Sequence, residues 1–312
     1  MKIVVTGGAG FIGSNVADAF IEDGHSVVII DNLSTGNRKN LNPSAKFYLA
    51  DIRDENIIRE IFEIEKPDLV DHHAAQIDVR KSLEIPGFDA EVNIIGSINL
   101  IKASLEYKVR KFIYISTGGA IYGEPEILPV KEDFPINPVC QYGISKHTVE
   151  HYLYLYSLHY GLKYIVLRYP NVFGPRQNPL GEAGVNAIFI HQMLTHQTPT
   201  IFGDGEQLRD YVYVGDIVKA NLAAIEKGEN GMFNIASGKG TSVNMIYREL
   251  KDIIGFKHDP IYKPARTGEI YKIYLDPSKA DAELGWKVKT PFREGLEKTV
   301  EWHRKDFEES KN

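Results

Sequence analysis

The sequence predicts an α/β fold in which a doubly wound parallel sheet is followed by a smaller C-terminal α/β lobe. Two observations predict it. Through the first 170 residues, short β-branched runs alternate with longer amphipathic segments, the rhythm of parallel βαβ units covered on both faces. The first of those runs ends in Gly7-x-x-Gly10-x-x-Gly13, a glycine pattern set between a strand and a helix. Right-handed crossovers then favour a Rossmann-type sheet.

Taken in order, strands are expected at 2–6, 27–30, 46–49, 69–72, 112–116 and 164–168, with helices at 12–22, 54–65, 92–107 and 143–160. After Arg168 the rhythm loosens. Residues 171–185, rich in Gly, Pro and Asn, read as an ordered loop at a ligand site or interface. A helix near 186–196, the strand Thr200-Ile201-Phe202 and the turn Gly203-Asp204-Gly205 follow. Tyr211-Val212-Tyr213-Val214 leads into a helix at 216–227, and Phe233-Asn234-Ile235-Ala236 can return to the main sheet. Helices at 243–254 and near 291–305 complete the smaller lobe. The expected division is a dinucleotide-binding domain at 1–170, its sheet completed by parts of 210–255, and a mainly substrate-binding lobe at 171–312.

Composition narrows the function classes. The chain has 312 residues, 25% of them charged, and reads as a soluble globular protein. No run approaches the roughly 20 apolar residues that span a bilayer. Met1 to Gly7 runs straight into a strand and leaves no room for the regions of a signal peptide, so a cytoplasmic protein is expected. The net charge is −6 with Lys and Arg scattered, without the basic stripe that nucleic acid requires. Neither nucleic acid nor membrane is an expected partner. Cys140, the one cysteine, rules out an internal disulfide framework and a cysteine-rich metal site, and no metal is expected. Two residues before Tyr142, it is either a nucleophile or, the preferred reading, a half-buried small side chain at a helix start.

In the glycine pattern, Gly7 permits a tight turn, Gly10 the close approach of a pyrophosphate, and Gly13 close helix–strand packing. The phosphates then lie over free N–H groups at a helix N-terminus. Asp31 ends the second strand, 18 residues after Gly13, where its carboxylate can accept from adenosine ribose hydroxyls. No arginine follows at position 32 to meet a 2′-phosphate, and Arg38 is the nearest such cation, so NAD is favoured over NADP. Asp51 and Ile52 can line the adenine, with helix capping as the rival role for Asp51.

Tyr142 and Lys146 stand four residues apart, on one face of a helix. A free phenol, with a pKa of about 10, is a poor base at neutral pH. A neighbouring ammonium and a positive nicotinamide favour tyrosinate; a drop of about 3 in pKa corresponds to about 4 kcal/mol. Such a group can take a proton from a sugar hydroxyl while hydride leaves for NAD. In the run Ile115-Ser116-Thr117-Gly118-Gly119-Ala120, either Ser116 or Thr117 can share that proton.

Further segments join these motifs: Thr6 to Gly13, Asp31-Asn32-Leu33-Ser34, His73-Ala74-Ala75-Gln76, Ser116 to Gly123, Arg168-Tyr169-Pro170-Asn171-Val172-Phe173-Gly174-Pro175, Arg209-Asp210-Tyr211-Val212, Arg266-Thr267-Gly268-Glu269 and Leu284-Gly285-Trp286. With them the chain resembles, over essentially its whole length, the extended short-chain dehydrogenase/reductase superfamily, and within it the nucleotide-sugar epimerases of the UDP-glucose 4-epimerase group. The resemblance implies Tyr142 as catalytic base, Lys146 as the residue holding the nicotinamide ribose, and Thr117 as the catalytic hydroxyl. The loop is one residue longer than in well-known epimerases, which keeps Ser116 as an alternative. It implies cofactor contacts at Gly7, Gly10, Phe11, Ile12, Gly13, Asp31, Asn32, Ser34, Gly36, Asp51, Ile52, Ala74, Ala75 and Asn93. It implies substrate contacts at Asn171, at Arg209 and Arg266 for the diphosphate, and at Glu269, where the family usually has Asp.

The implied reaction interconverts UDP-galactose and UDP-glucose through a 4-keto sugar, with one tightly held NAD used twice, in a homodimer built on segments 92–107 and 143–160. UDP-GlcNAc and UDP-glucuronate 4-epimerases share the same machinery, and Ile273, at the sugar-pocket position, does not separate them. Dehydratases place Asp-Glu after the hydroxyl residue and decarboxylases a Glu, where this chain has Gly118-Gly119-Ala120. A non-enzymatic NAD-binding sensor has no chemical need for Tyr142 and Lys146.

Overall fold

A computed structural model describes residues 1–180, 184–266 and 270–309. The N-terminal half runs β1 (Lys2–Thr6), α1 (Phe11–Glu22), β2 (Ser26–Asp31), β3 (Lys46–Leu49), α2 (Glu55–Glu65), β4 (Leu69–His72), α3 (Val79–Glu84), α4 (Pro86–Ala90), a π-turn at Glu91–Ile95 leading into α5 (Gly96–Glu106), β5 (Lys111–Thr117), α6 (Gly118–Ile121), α7 (Gln141–Tyr160) and β6 (Tyr164–Tyr169). The chain continues with β7 (Asn171–Phe173), α8 (Val185–Leu194), β8 (Thr200–Phe202), β9 (Leu208–Arg209), β10 (Tyr211–Tyr213), α9 (Val214–Glu226), β11 (Gly231–Asn234), β12 (Thr241–Ser242), α10 (Val243–Ile254), β13 (Ile261–Lys263), β14 (Lys272–Ile273), a π-turn at Ala280–Leu284 and α11 (Phe292–Glu309).

Seven strands form one parallel sheet in the order β11-β6-β5-β4-β1-β2-β3. The order reverses between β1 and β4, and in such sheets the crevice at the carboxyl ends beside that reversal receives the ligand. Thr6, His72 and Thr117 end the three strands that border it. β11 closes the far edge by pairing with β6, as expected from the Phe233 run.

Both faces of the sheet are covered, which explains why its strands are apolar throughout rather than alternating. Ile3, Val5, Ile29 and Ile113 face Val16 and Phe20 of α1 and Ile217 and Ala224 of α9. Val4, Val28, Val70 and Phe112 face Ile58 and Phe62 of α2, Leu100 of α5, and Val149 and Leu153 of α7. A separate cluster of Phe189, Ile190, Ile246, Leu250, Leu296 and Val300 forms the core of the smaller lobe. No helix among the described residues is long and apolar enough to cross a membrane.

Three local features depart from the expectations. The segment expected as loop opens with β7, which pairs with β10 some forty residues downstream; a three-residue strand with a distant partner leaves no local signature. Helices α3 and α4 fill a stretch to which the sequence pattern assigns no element, their starts set by the Asp78 cap and by Pro86. Asp54, rather than Asp51, caps α2, its carboxylate accepting from the Asn56 and Ile57 amides. Asp54→Ala should therefore cost about 1 kcal/mol of stability in chemical denaturation, whereas Asp51→Ala should leave the α2 cap intact.

Candidate active site

The crevice begins with the glycine loop. Gly7 takes φ +69°, and a Cβ there would lie 2.7 Å from the Ala74 nitrogen. A Cβ on Gly13 would collide with the Gly7 carbonyl oxygen, so α1 packs directly on the turn. Gly10 occupies the N-cap of α1 without a side-chain hydrogen bond, leaving the Phe11 and Ile12 end of the helix to face an anion with its N–H groups.

The surrounding side chains hold this loop in place. Asp31 is buried, its Oδ2 accepting from the Ala9 amide at 3.0 Å and its Oδ1 from the Leu33 amide at 2.7 Å. A carboxylate has about four acceptor positions, so capacity remains for ribose hydroxyls. Asn32 accepts from the Ser34 amide and donates to Asp51 Oδ2 at 2.9 Å, while Gly36 packs against Ala9 and Asp31. Arg53 grips both Asp51 oxygens and brings that carboxyl down to about 2. Ile52 abuts Gly96 at the start of α5. Ala74 donates to Thr6 Oγ1 and continues through Ala75 to Gln76. Asn93 is buried, and its amide is engaged by the chain: it accepts from the Gln76 nitrogen and donates toward Gln76 O, Asp89 and Ser145. Its contribution to the crevice is to hold the Ala74-Ala75-Gln76 floor against α7.

Tyr142 and Lys146 lie on the first two turns of α7, beside Thr117 at the end of β5. The Thr117 side chain neighbours the Tyr142 phenol and favours its ionised form. Ser116 is turned away, its Oγ donating to Glu150 at 2.6 Å. The Lys146 ammonium is buried, 4.4 Å from the centre of the Tyr114 ring. Burial brings it down to about 7, with the carboxylates of Glu150 and Asp89 pulling the other way. Burial also pushes the Tyr142 phenol above its ordinary value, and Thr117 offsets this only in part. The chain's own groups thus do not produce the lowered phenol that the Tyr/Lys spacing suggested. Desolvation dominates the phenol, and Thr117 is the group that opposes it. Cys140 is buried at the N-cap of α7, and burial raises its thiol, in keeping with a packing role.

Gly119, Pro170, Asn171, Arg209, Asp210, Ile273 and Leu275 line a small indentation, about 10 Å³ in volume, next to Thr117. Buried Asp210 braces it by accepting from Ser237, Gly238 and Leu275. Arg209 donates to the carbonyls of Leu208 and Tyr271. Arg266 does not line this indentation; its guanidinium stacks 4.0 Å from the centre of the Phe202 ring. Glu269 lies outside the described residues. Sequence reasoning missed Asp89, Glu150 and Arg168. An arginine inside the apolar run Tyr164–Tyr169 was the visible signal for the last.

A dinucleotide cradle at the switch point, beside a phenol, an ammonium and a hydroxyl, defines an enzyme that oxidises or reduces an alcohol carbon with a nicotinamide cofactor. The chain belongs to the NAD dependent epimerase/dehydratase family, whose model matches residues 3–236. It is 52% identical to a UDP-glucose 4-epimerase of Thermotoga maritima solved with UDP-glucose, with a TM-score of 0.97 over 98% of this chain and 100% of that one. A Thermus thermophilus UDP-glucose 4-epimerase in complex with NAD is 41% identical, with a TM-score of 0.93 over 97% of this chain and 99% of that one. A UDP-glucose 4-epimerase of Mycolicibacterium smegmatis is 40% identical over 97% of this chain and 99% of its own length.

Gly13→Ala should abolish retention of a dinucleotide through purification, read from absorbance of the released nucleotide, because the added methyl collides with Gly7. A second expectation concerns pH. Lys146 falls from 10.5 to about 7 on folding, so between those values the unfolded chain binds more protons than the folded one. Its contribution to stability therefore rises with pH across that window, and Lys111, lowered to about 8 by burial, adds to the rise. In cofactor-free protein, Lys146→Met should reduce the gain in Tm between pH 7 and 10; an unchanged Tm–pH curve would contradict the burial argument.

Proposed function

We propose that this chain interconverts UDP-galactose and UDP-glucose by inverting C4, with NAD retained throughout. The observation that carries the reading beyond the family is that Thr117 neighbours Tyr142 and is followed by glycines rather than by an acid. Gly118 and Gly119 follow Thr117, so no carboxylate for elimination stands there. The site can accept and return the proton of one alcohol, which is what epimerisation requires and dehydration exceeds.

The residues present fit the cofactor: the start of α1 carries no side-chain cap over its N–H groups, and Asp31 keeps acceptor capacity beyond the Ala9 and Leu33 amides. When bound, NAD would supply hydride acceptance and return at C4 and the positive charge of its oxidised ring. Tyr142 takes the C4-hydroxyl proton and later returns it, and Thr117 holds the reacting oxygen by sharing that hydrogen bond. Lys146 supports the ionised phenol and holds the nicotinamide ribose. Residues 1–170 bind the cofactor and residues 171–312 mainly the substrate. Arg209 and Arg266 serve the diphosphate and Glu269 the uridine ribose. Asn171, Gly119 and Ile273 leave the hexose lightly held. Binding energy placed on the nucleotide lets the 4-keto sugar turn about its diphosphate link and present its other face.

We further propose a cytoplasmic homodimer. Ile144, Leu155 and Leu158 form an exposed stripe on α7, with exposed Ile95 at the entrance to α5. Such a stripe is the kind of surface a second copy covers. Leu158→Glu should shift sedimentation velocity toward monomer.

A proton NMR time course with UDP-galactose and no added NAD should show UDP-glucose appearing, and Tyr142→Phe should lower kcat by about 10²–10⁴. No conversion even after NAD is supplied would remove the hexose assignment.

A further inference from the structure

Glu150, a buried carboxylate to which the reaction assigns no role, connects the two elements that carry the chemistry. It lies on α7 one turn past Lys146. Its Oε1 accepts from Ser116 Oγ at 2.6 Å and from Arg168 Nε at 3.0 Å. Its Oε2 accepts from Arg168 Nη2 at 2.6 Å and lies 3.0 Å from His147 Nδ1. Ser116 immediately precedes Thr117, and Arg168 stands opposite Ser116 in the β5–β6 register. Arg168 Nη1 donates to Tyr122 Oη at 2.7 Å, and Tyr122 donates to Asn234 of β11. One polar network therefore spans α7, β5, β6 and β11.

An ion pair buried this deeply gains little net stability over apolar packing of the same volume. Its advantage is fixed geometry at the ends of the elements it joins. Resting on the reaction proposed above, we infer that Glu150 is a positioning residue: clamped by Arg168, it holds the Thr117 strand against the Tyr142 helix through Ser116 and presents a fixed negative charge to Lys146.

The electrostatics agree. Burial opposes ionisation of Glu150, but hydrogen bonds from His147 and Arg168 outweigh it and hold the carboxyl at about 2. The group is thus charged throughout the working range. The groups influencing Lys146 are Glu150 on α7, Asp89 on α4, the Tyr114 ring on β5 and His72 on β4, the last held neutral by burial. The two carboxylates and the face of the Tyr114 ring favour the ammonium.

The test compares NAD-loaded wild type, Ser116→Ala and Glu150→Gln. It reads kcat and KM for UDP-galactose from pH 6 to 9, bound NAD, and Tm against pH after the cofactor is stripped. Ser116→Ala should lower kcat about tenfold, the scale of a small misplacement, with KM within about twofold and the pH profile unmoved. Glu150→Gln should lower kcat at least as far and shift its rising limb to higher pH, since less charge on Lys146 makes the phenol harder to ionise. In the stripped Glu150→Gln protein, the Lys146-linked rise in Tm should begin at lower pH. If Glu150→Gln fails to fold, the Ser116→Ala split between kcat and KM decides. Variants that lose Tm but keep wild-type kcat and an unmoved pH limb overturn the inference. An inactive wild type would instead overturn the proposed reaction.

Discussion

The burial of the Lys146 ammonium is the constraint on which the rest of the site depends. Taking a cation out of water shifts its balance toward the neutral form by several kcal/mol, on the order expected for a fall from 10.5 to about 7. The surrounding structure limits that fall. The Tyr114 ring offers its face, Glu150 and Asp89 offer charge, and each carboxylate is fixed by further hydrogen bonds. A surface lysine would need none of this, but it would also be screened and would exert little pull on a phenol. Burial makes the pair responsive, because a charge added beside it acts through a medium of low polarizability.

The same constraint explains structure that looks incidental. Helix α4 carries Asp89 to the back of the pair, where it also accepts from Gln76 and Asn93. Helix α3 brings Ser82 Oγ to accept from the Tyr142 amide at 3.2 Å, giving the uncapped start of α7 one of its missing partners. The π-turn before α5 contains Asn93, whose amide ties the Ala74-Ala75-Gln76 floor to α7. The Ala74-Ala75-Gln76 segment and α7 are therefore held by one network, and movement in either is felt by the other.

Much of this was legible in the sequence, for identifiable reasons. The seven strands and the long helices between them announce themselves through local pattern, since a sheet buried on both faces must be largely apolar. The glycines at 7 and 13 announce a cradle because no other residue fits them. What was not legible depends on distance in sequence. β7 has meaning only once β10 lies beside it, and that Asp54 rather than Asp51 caps α2 shows only once the chain turns. That Ser116 donates to Glu150, thirty-odd residues away, was equally invisible. Spacing misleads about the Tyr142 phenol for a related reason: it shows that an ammonium is near, but only the fold shows that both groups are buried.

The most direct measurement is an ultraviolet difference titration of tyrosinate, wild type minus Tyr142→Phe, in NAD-loaded and cofactor-free protein. The account predicts that the Tyr142 phenol ionises above about 10 without the cofactor and clearly below that value with NAD bound, since the added positive charge acts on a desolvated pair. A phenol that titrates at the same high pH in both forms would contradict the assignment of Tyr142 as the group that takes the proton.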